Sequence, residues 1–236
     1  MGERASGYRL IGDLIIVENS IAGTVTAGGG DDILRVLAGA GNHSLDGGDG
    51  NDAFYNNSGN DTLDGGTGSN LLFGAANVLV AGSGDDILLG GQGDDQLSAG
   101  DGDNVMMGEA DNDSLTGGAD AVLGGAGNDT LTGGGGRDVF LFTDNGAANA
   151  DQILDYSSSD GDIVDLSAVL DSHFGPADNP ADFARVIQSG SNVVVQVDAD
   201  GTGVNWTDVA TLNGYGTSGV DLVNVLFAGT VHQFTT

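Results

Sequence analysis

The chain has 236 residues, 44 of them glycine, and carries a formal net charge of −30 at pH 7. It contains no cysteine, which excludes disulfides, zinc–thiolate sites and cysteine nucleophiles. A chain this acidic repels nucleic acid and anionic membrane surfaces, so we expect neither as a partner. No run of about 18 consecutive apolar residues occurs, so the sequence predicts no membrane insertion.

One pattern recurs through the glycine-rich part of the chain. It reads Gly-Gly-x-Gly-x-Asp-x-U-x, where U is a large apolar residue, and this is the repeat of calcium-binding parallel β-rolls. Because the apolar residue returns at a fixed phase, the glycine-rich composition does not indicate disorder. Full copies begin at Gly47, Gly90, Gly124 and Gly133.

Alignment on the U position gives a nearly regular series in steps of nine residues. The step from Leu34 to Leu45 has eleven residues, and two later steps have seven. A degenerate strand, Thr24 to Thr26, fits the phase one step upstream. The U residues are Leu34, Leu45, Phe54, Leu63, Leu72, Leu79, Leu88, Leu97, Met106, Leu115, Val122, Leu131 and Phe140.

This period predicts an all-β fold, a parallel β-roll (a calcium-binding β-solenoid). A short strand followed by a glycine turn allows two copies to complete one coil, so each copy stacks on the copy after the next. Successive strands then alternate between two parallel sheets, and the U residues fill the space between the sheets.

The aspartate of each repeat predicts the ligand. Aspartates stacked about 4.8 Å apart repel each other, and a Ca²⁺ between them reverses the sign of the interaction. Glycines permit the positive φ angles that aim carbonyl groups at the ion, and such hard donors favour Ca²⁺ over Zn²⁺ or Cu²⁺. We predict about five to nine calcium ions. The predicted ligand residues are Gly30, Asp32, Gly50, Asp52, Gly59, Asp61, Asn70, Gly84, Asp86, Gly93, Asp95, Gly102, Asn104, Asp113, Gly127, Asp129, Gly136, Asp138, Asp151 and Asp155.

The predicted sites differ in quality. A lone aspartate in such a turn is normally a solvated turn former, but a phased array of this length favours ligands. His43 is a poor Ca²⁺ ligand, and the turns before Asn77 and Asp120 are short, so we expect their sites to be empty or altered. The best pairs are Asp95 over Asp113, Asp113 over Asp129, Asp32 over Asp52, and Asp86 over Asn104.

The repeats resemble those of the RTX (repeats-in-toxin) family of secreted proteins. Residues 136–142, Gly-Arg-Asp-Val-Phe-Leu-Phe, look like the last coil of that family, and residues 151–156 and 161–167 look like the segment that follows it. The stretch from Val193 to Leu212 resembles the C-terminal target domain read by type I secretion systems, of the kind found on large bacterial surface adhesins. The resemblance implies an uncleaved C-terminal secretion signal and export of the unfolded chain.

We therefore divide the chain into three parts. Residues 1–26 form a lead-in segment with a degenerate first coil, residues 27–141 the RTX β-roll, and residues 142–236 a C-terminal β-rich capping and secretion domain.

Several acidic residues of the C-terminal part, residues 142–236, allow two interpretations. Asp198, Asp200 and Gly201 form either a calcium loop or an acidic hairpin turn, and the hairpin turn is favoured. Four further carboxylates either close the last calcium site of the roll or are ordinary polar residues of this segment; they are Asp151, Asp155, Asp162 and Asp165.

The residues that flank U make one outer face of the roll apolar. On the sheet whose strands follow Asp32 and its stacked partners, both neighbours of U are mostly apolar, whereas the other sheet is mostly polar outside. An apolar face of this size is rarely left wet. We expect the C-terminal region or Leu10–Val17 to pack over it; the alternative is a docking surface for a preceding domain or a second chain. Its largest residues include Tyr55, Phe73, Leu89 and Met107.

No catalytic motif accompanies the repeats. The histidines lie in no His-Glu-x-x-His motif, there is no Gly-x-Ser-x-Gly elbow, and the carboxylates are better explained as calcium ligands. We therefore predict a non-enzymatic, calcium-dependent folding and export module at the C-terminal end of a large adhesin, secreted or on the bacterial cell surface.

We expect the module to be a monomer whose partners are the type I secretion apparatus and the upstream domains of the same polypeptide. The alternative function is an accessory RTX module of a secreted hydrolase or epimerase. An ice- or glycan-binding solenoid is less favoured.

Overall fold

The computed structural model describes residues 14–17, 23–36, 42–56, 60–74, 77–118, 121–143, 151–170, 174, 178–198, 200–216 and 222–236. These residues are almost entirely β-structure, with one short α-helix, Ser167–Leu170 (α1), and one 3₁₀ turn, Pro180–Asp182. No helix among them is long and apolar enough to cross a membrane. The strands, numbered β1 to β22 in chain order, are Leu14–Val17, Gly23–Gly29, Ile33–Val36, His43–Asp49, Ala53–Tyr55, Thr62–Asp64, Leu71–Phe73, Val78–Val80, Ile87–Gln92, Gln96–Ser98, Val105–Ala110, Ser114–Thr116, Ala121–Ala126, Thr130–Thr132, Val139–Leu141, Asp151–Ile153, Ile163–Asp165, Ala184–Ser189, Asn192–Val197, Thr207–Leu212, Leu222–Phe227 and Thr230–Thr235.

The strands form two 11-stranded sheets. The first sheet contains the odd-numbered strands β1 to β17 in order, followed by β21 and β22. The second sheet contains the even-numbered strands β2 to β16, followed by β20, β19 and β18. Consecutive strands of the roll therefore lie in opposite sheets, and each pairs in parallel with the strand two steps later. This confirms the predicted parallel β-roll.

The register of the strands follows the apolar ladder predicted from the period. Leu34 pairs with Phe54, and Phe54 pairs in turn with Leu72. The seven-residue steps shorten the turns and leave the strands aligned, because Leu79 still pairs with both Leu63 and Leu97. Every U residue is at most 2% exposed. Burial of each such side chain contributes about 1.5–3 kcal/mol to the stability of the fold.

The C-terminal part continues the same two stacks. Ile153 pairs with Leu131 and with Leu212 in the second sheet, while Val164 pairs with Phe140 and with Val225 in the first. Antiparallel strands then end both sheets, β18 to β20 as a meander and β21 with β22 as a hairpin. The boundary after residue 141 stays a prediction, and hydrogen bonding between strands runs across it.

The expectation that the C-terminal region or Leu10–Val17 covers the apolar outer face is wrong for the described residues. Strand β1 lies at the edge of the first sheet beside β3, and the C-terminal strands lengthen both sheets instead of crossing them. Tyr55 and Phe73 are 43% and 40% exposed, and Leu89 and Met107 are half-buried. The physical reason is that the tail offers open strand edges, and continued pairing satisfies the backbone of the last coil.

Candidate metal centre

The side chains two residues before U form a buried ladder along each edge of the roll, which we call the inner ladder. Oδ1 of Asp52 accepts a hydrogen bond from the backbone N–H of Asp32 at 2.8 Å, on the preceding coil of the same edge. On the other edge, Oδ1 of Asp113 accepts from the N–H of Asp95 at 2.9 Å. Each carboxylate thus bridges its own turn and the turn stacked on it. The same contact joins Asp86 to Asn70 and Asp95 to Asn77.

Four carboxylates of the inner ladder keep one oxygen buried without a hydrogen-bond partner among the described residues. These oxygens are Oδ2 of Asp52, Asp86, Asp95 and Asp113, and each residue is at most 3% exposed. A buried ionised oxygen without a partner is strongly unfavourable. Burial raises the pKa of Asp95 to about 6. Burial, with the charges of Asp129 and Asp95, raises the pKa of Asp113 to about 7. Burial likewise raises the pKa of Asp52 and of Asp86.

Two asparagines of the inner ladder, Asn70 and Asn104, donate their side-chain amide N–H groups to backbone carbonyls. Nδ2 of Asn70 donates to the carbonyl oxygens of Gly68 at 3.0 Å and Ala81 at 3.2 Å. Nδ2 of Asn104 donates to the carbonyl of Gly102 at 3.3 Å. At these rungs an amide N–H occupies turn carbonyls that a cation would otherwise use, which gives a physical reason to expect weaker binding there.

Glycines bring the turns of successive coils close together at each edge. At Gly102, where φ is +130°, a Cβ atom would overlap the carbonyl of Gly84 on the preceding coil. The turns can stack at the spacing of the strands because this position lacks a side chain. Gly59 lies outside the described residues. The other predicted glycines all have positive φ; they are Gly30, Gly50, Gly84, Gly93, Gly102, Gly127 and Gly136.

An exposed outer ladder runs beside the inner one with the opposite hydrogen-bond direction. Oδ1 of Asp31 accepts from the backbone N–H of Asn51 at 2.8 Å, and Oδ1 of Asn51 accepts from Ser69 at 2.7 Å. On the other edge, Oδ1 of Asp94 accepts from the N–H of Asn112 at 3.0 Å. Here the later coil donates to the earlier one. The outer ladder therefore sets the spacing of the turns through protein–protein hydrogen bonds.

The inner ladder continues past the last repeat. Oδ1 of Asp151 accepts from the backbone N–H of Asp129 at 2.9 Å on one edge. Oδ1 of Asp162 accepts from the N–H of Asp138 at 3.0 Å on the other. Asp151 therefore extends the inner ladder beyond Asp129, and it stays a predicted ligand. Asp162 holds the equivalent place on the opposite edge.

Asp155 binds the turn of the last repeat with both carboxylate oxygens. Oδ1 accepts from the backbone N–H of Gly133 at 2.9 Å, and Oδ2 accepts from that of Gly134 at 2.7 Å. The structure brings Asp155 to the end of the roll, where it caps the turn and stays a predicted ligand. The side chain of Asp165 accepts a local hydrogen bond from the N–H of Ser167 at 2.9 Å.

One rung of the inner ladder is held together by protein donors. Nδ1 of His43 lies 3.0 Å from Oδ1 of Asp61, and the backbone N–H of His43 donates to the same oxygen. Nδ2 of Asn56 donates to Oδ2 of Asp61 at 2.6 Å and to Oδ1 of Asn77 at 3.2 Å. Both oxygens of Asp61 are therefore engaged. The sequence predicted a poor site at His43, but nothing in the repeat pattern indicated Asn56, which replaces the first glycine of its copy.

The turn before Asp113 departs from the repeat at two glycine positions. Glu109 and Asp111 replace the second and fourth residues, and they keep the glycine conformation with φ of +80° and +81°. Such angles are strained for residues with a side chain. Oδ2 of Asp111 accepts from the backbone N–H of Gly93 at 3.0 Å, which helps to hold the turn. Stacking between the neighbouring turns thus holds these two residues at positive φ, although residues with a side chain prefer negative φ.

The donor set fits a hard divalent cation. Unpartnered carboxylate oxygens are buried at the edges of the roll, beside glycine turns that present backbone carbonyls, and oxygen-only sites of this kind suit Ca²⁺. In the part of the chain that the structure describes, no three His, Cys, Asp or Glu side chains converge on one point. The predicted sites instead combine side chains from two stacked turns with backbone carbonyls. Asp120 lies outside the described residues.

Comparison with known proteins agrees with this geometry. The model of the RTX calcium-binding nonapeptide repeat family matches residues 35–63, 55–78, 73–106, 80–115, 98–121 and 115–143. No curated protein matches the chain. One similar solved structure is the solution structure of the AlgE6R2 subunit of the Azotobacter vinelandii mannuronan C5-epimerase, with 29% identity and a TM-score of 0.39. That match covers 59% of this chain and 91% of the other. The repeats within residues 35–143 match the RTX calcium-binding nonapeptide model, and the described residues among them form a β-roll. RTX nonapeptide repeats bind Ca²⁺.

Proposed function

We propose that the chain is a calcium-dependent folding and export module, located at the C-terminal end of a large secreted or surface adhesin. The observation that carries the proposal is the set of buried, unpartnered carboxylate oxygens on Asp52, Asp86, Asp95 and Asp113. Groups of this kind oppose folding until a cation neutralises them. RTX repeat proteins are typically secreted, which agrees with a switch set by the calcium concentration outside the cell.

The residues of the roll account for both states of the switch. Without a cation, Asp113 faces the charges of Asp129 and Asp95 in a buried setting, and short strands cannot offset that repulsion. The outer ladder holds backbone N–H groups of the turns once the coils stack. Bound Ca²⁺ supplies positive charge between the turns, and each occupied site adds about 1 kcal/mol when the free concentration is a few times its Kd.

A low calcium concentration inside the cell keeps the chain competent for export. Extracellular calcium modules bind with Kd values of about 10⁻⁴–10⁻³ M, so their sites are empty in a cytosol and filled outside. The C-terminal strands β16 to β22 extend both stacks. We infer that these strands, which leave an exporter first, provide the edges on which the roll assembles.

Circular dichroism of the purified chain tests the calcium switch. In EGTA the chain should have little β-signal, and titration with Ca²⁺ should restore it cooperatively, whereas Mg²⁺ should not. Equal β-signal in EGTA and in Ca²⁺ would reject the switch.

Export is tested separately. A passenger protein fused upstream of residues 1–236 should appear in the medium of cells that carry a type I exporter of adhesin class. Deletion of residues 142–236 should retain it inside. Secretion of the passenger without those residues would reject the assignment of the signal to the tail. The sequence upstream of the module in its full polypeptide distinguishes the two candidate functions. Adhesin repeats there would support the proposed function, and the catalytic domain of a hydrolase or epimerase would support the alternative.

A further inference from the structure

The loop between β19 and β20 is separate from the roll turns and carries its own group of oxygen donors. It runs from Asp198 through Gly203 to Trp206, and it closes an antiparallel pair, as the sequence reading of a hairpin turn predicted. The loop folds onto a buried aromatic residue: the N–H of Asp198 donates to the carbonyl of Phe183 at 2.9 Å, and a Cβ at Gly201 would overlap the Phe183 ring.

Asp198 is completely buried, with 0% of its surface exposed. Its Oδ2 is held in the loop by the backbone N–H groups of Gly203 at 2.6 Å and Val204 at 3.1 Å. Its Oδ1 is buried and has no hydrogen-bond partner among the described residues. A hairpin turn alone does not require an unpartnered buried carboxylate oxygen, and that oxygen calls for a positive partner.

A second carboxylate lies on the same side of the loop. Asp200 accepts hydrogen bonds from the backbone N–H of Thr202 at 3.0 Å, from the Thr202 hydroxyl at 2.6 Å and from Nδ2 of Asn205 at 3.1 Å. The same hydroxyl lies 3.5 Å from Oδ2 of Asp198, so one oxygen adjoins both carboxylates.

Arg185, which contacts Trp206 beside this loop, is engaged by other groups. The guanidinium of Arg185 stacks over the Trp206 ring at 4.1 Å, and its Nε donates to Oε1 of Gln196 at 2.7 Å. No salt bridge to either loop carboxylate occurs among the described residues. Two carboxylates therefore share a short loop, and no cationic side chain of the described residues forms a salt bridge with them.

The oxygen donors are spaced as in the first half of a 12-residue calcium-binding loop of the EF-hand type. Side-chain oxygens occur at the first, third and fifth positions, on Asp198, Asp200 and Thr202, and a glycine follows at the sixth. That glycine, Gly203, has φ of +76°, as the sharp turn in such loops requires. The geometry assigns to this loop a second kind of Ca²⁺ site, in which Asp198, Asp200 and Thr202 supply the side-chain oxygens.

This site is expected to be weak and to act locally. The twelfth position, where a bidentate glutamate completes tight loops, holds the buried Val209. With two carboxylates instead of three or four, the affinity falls in the range of extracellular modules, with Kd about 10⁻⁴–10⁻³ M. Because β20 pairs with β16, an ion in this loop would fasten the meander that ends the second sheet.

The single tryptophan of the chain makes the site directly observable. Trp206 Nε1 donates to the carbonyl of Gly203 at 3.0 Å, so the indole adjoins the loop, and the roll has no tryptophan. The full-length chain, folded in Ca²⁺, is titrated with Tb³⁺ while only tryptophan is excited. We expect saturable Tb³⁺ emission that added Ca²⁺ displaces.

Variants separate this site from the roll. Asp200→Asn should raise the Tb³⁺ midpoint about tenfold or more, because it removes one of two charges, while the exposed control Asp182→Asn should leave it unchanged. Asp198→Asn should abolish the emission; if that chain fails to fold by circular dichroism, the exposed Asp200 decides. Absence of tryptophan-sensitised emission from a wild-type chain that still folds in Ca²⁺ would overturn the loop site and leave the calcium switch standing. A wild-type chain that gives this emission but is equally folded with and without Ca²⁺ would support the loop site and reject the calcium switch.

Discussion

The imidazole of His43 faces the carboxylate of Asp61, with Nδ1 and Oδ1 3.0 Å apart, at a rung where other coils stack two carboxyl or amide groups. Together with Asn56, which donates to the second oxygen of Asp61, the histidine satisfies this rung from within the protein. The N-terminal end of the roll therefore contains a coil whose cohesion does not depend on a cation.

Replacement of His43 by aspartate should convert this rung into a calcium-dependent one. In EGTA, we expect His43→Asp to lower the free energy of unfolding by about 1–3 kcal/mol, because a second buried carboxylate then faces Asp61. Because little of the chain is folded in EGTA, the change there is measured as the concentration of trimethylamine N-oxide that folds half of it. Urea unfolding measures the change in Ca²⁺, which should recover part of the loss. His43→Asn, which adds no charge, is the control and should lose less. Equal trimethylamine N-oxide midpoints for His43→Asp and wild type in EGTA would contradict the role given to this pair.

Removal of one carboxylate charge from the inner ladder should stabilise the calcium-free roll and destabilise the calcium-bound roll. Asp113→Asn replaces a buried carboxylate whose Oδ2 has no partner, so the calcium-free chain should gain about 1–3 kcal/mol of stability. In Ca²⁺ the same variant should be less stable than wild type, because a ligand charge is lost. The trimethylamine N-oxide concentration that folds half of the chain in EGTA, and urea unfolding in Ca²⁺, give the two differences. The exposed Asp103→Asn should show neither effect, and a loss of stability for Asp113→Asn in EGTA would contradict the argument.

The stability of the calcium-free roll should fall as the pH rises. Burial raises the pKa of Asp95 to about 6 and that of Asp113 to about 7, so the folded chain binds these protons more tightly than the unfolded chain. Their contribution is complete below the ordinary aspartate pKa of about 4 and is lost as the pH passes about 6 and then about 7. Since Ca²⁺ needs ionised carboxylates, the trend should reverse in its presence.

Thermal unfolding followed by circular dichroism at about pH 5 and about pH 8 measures both trends. The Asp95→Asn, Asp113→Asn double variant is the control, and its pH dependence in calcium-free buffer should be flatter than that of wild type. A calcium-free chain that becomes more stable between these two pH values would show that the ladder carboxylates do not dominate.

The regular part of the fold could be predicted from the repeat pattern. The features that could not be predicted depend on contacts that the pattern does not specify. The U ladder from Leu34 to Phe140 could be predicted because a fixed period and one buried face determine register. The engagement of Asp61 could not, because it depends on Asn56, which stands where the repeat has its first glycine and so has no counterpart in the pattern. The repeat pattern also could not predict how the C-terminal strands pair, because the pairing at an open sheet edge depends on residues far apart in the sequence.

Two adjacent glycines in the last repeat provide a matched test of turn stacking. Gly134 has φ of +97°, and a Cβ there would overlap the carbonyl of Gly117, whereas a Cβ at Gly135 would meet no atom within 4 Å. Gly134→Ala should therefore cost about 1–3 kcal/mol, and Gly135→Ala should be neutral or slightly stabilising. Urea unfolding in saturating Ca²⁺ measures both. Equal costs at the two positions would mean that glycine serves only as a flexible linker in these turns.

The turn before Asp113 should improve when a glycine is restored. Glu109 holds φ of +80°, which is strained for a residue with a side chain, and its charge adds to the repulsion at Asp95. Glu109→Gly should raise the unfolding free energy by about 1 kcal/mol, because relief of strain exceeds the extra entropy of an unfolded glycine. The neighbour Ala110 lacks a positive φ, so Ala110→Gly should instead lose about 0.5–1 kcal/mol. Glu109→Gln separates charge from strain: if it stabilises the calcium-free chain as much as Glu109→Gly does, charge and not backbone strain accounts for the gain.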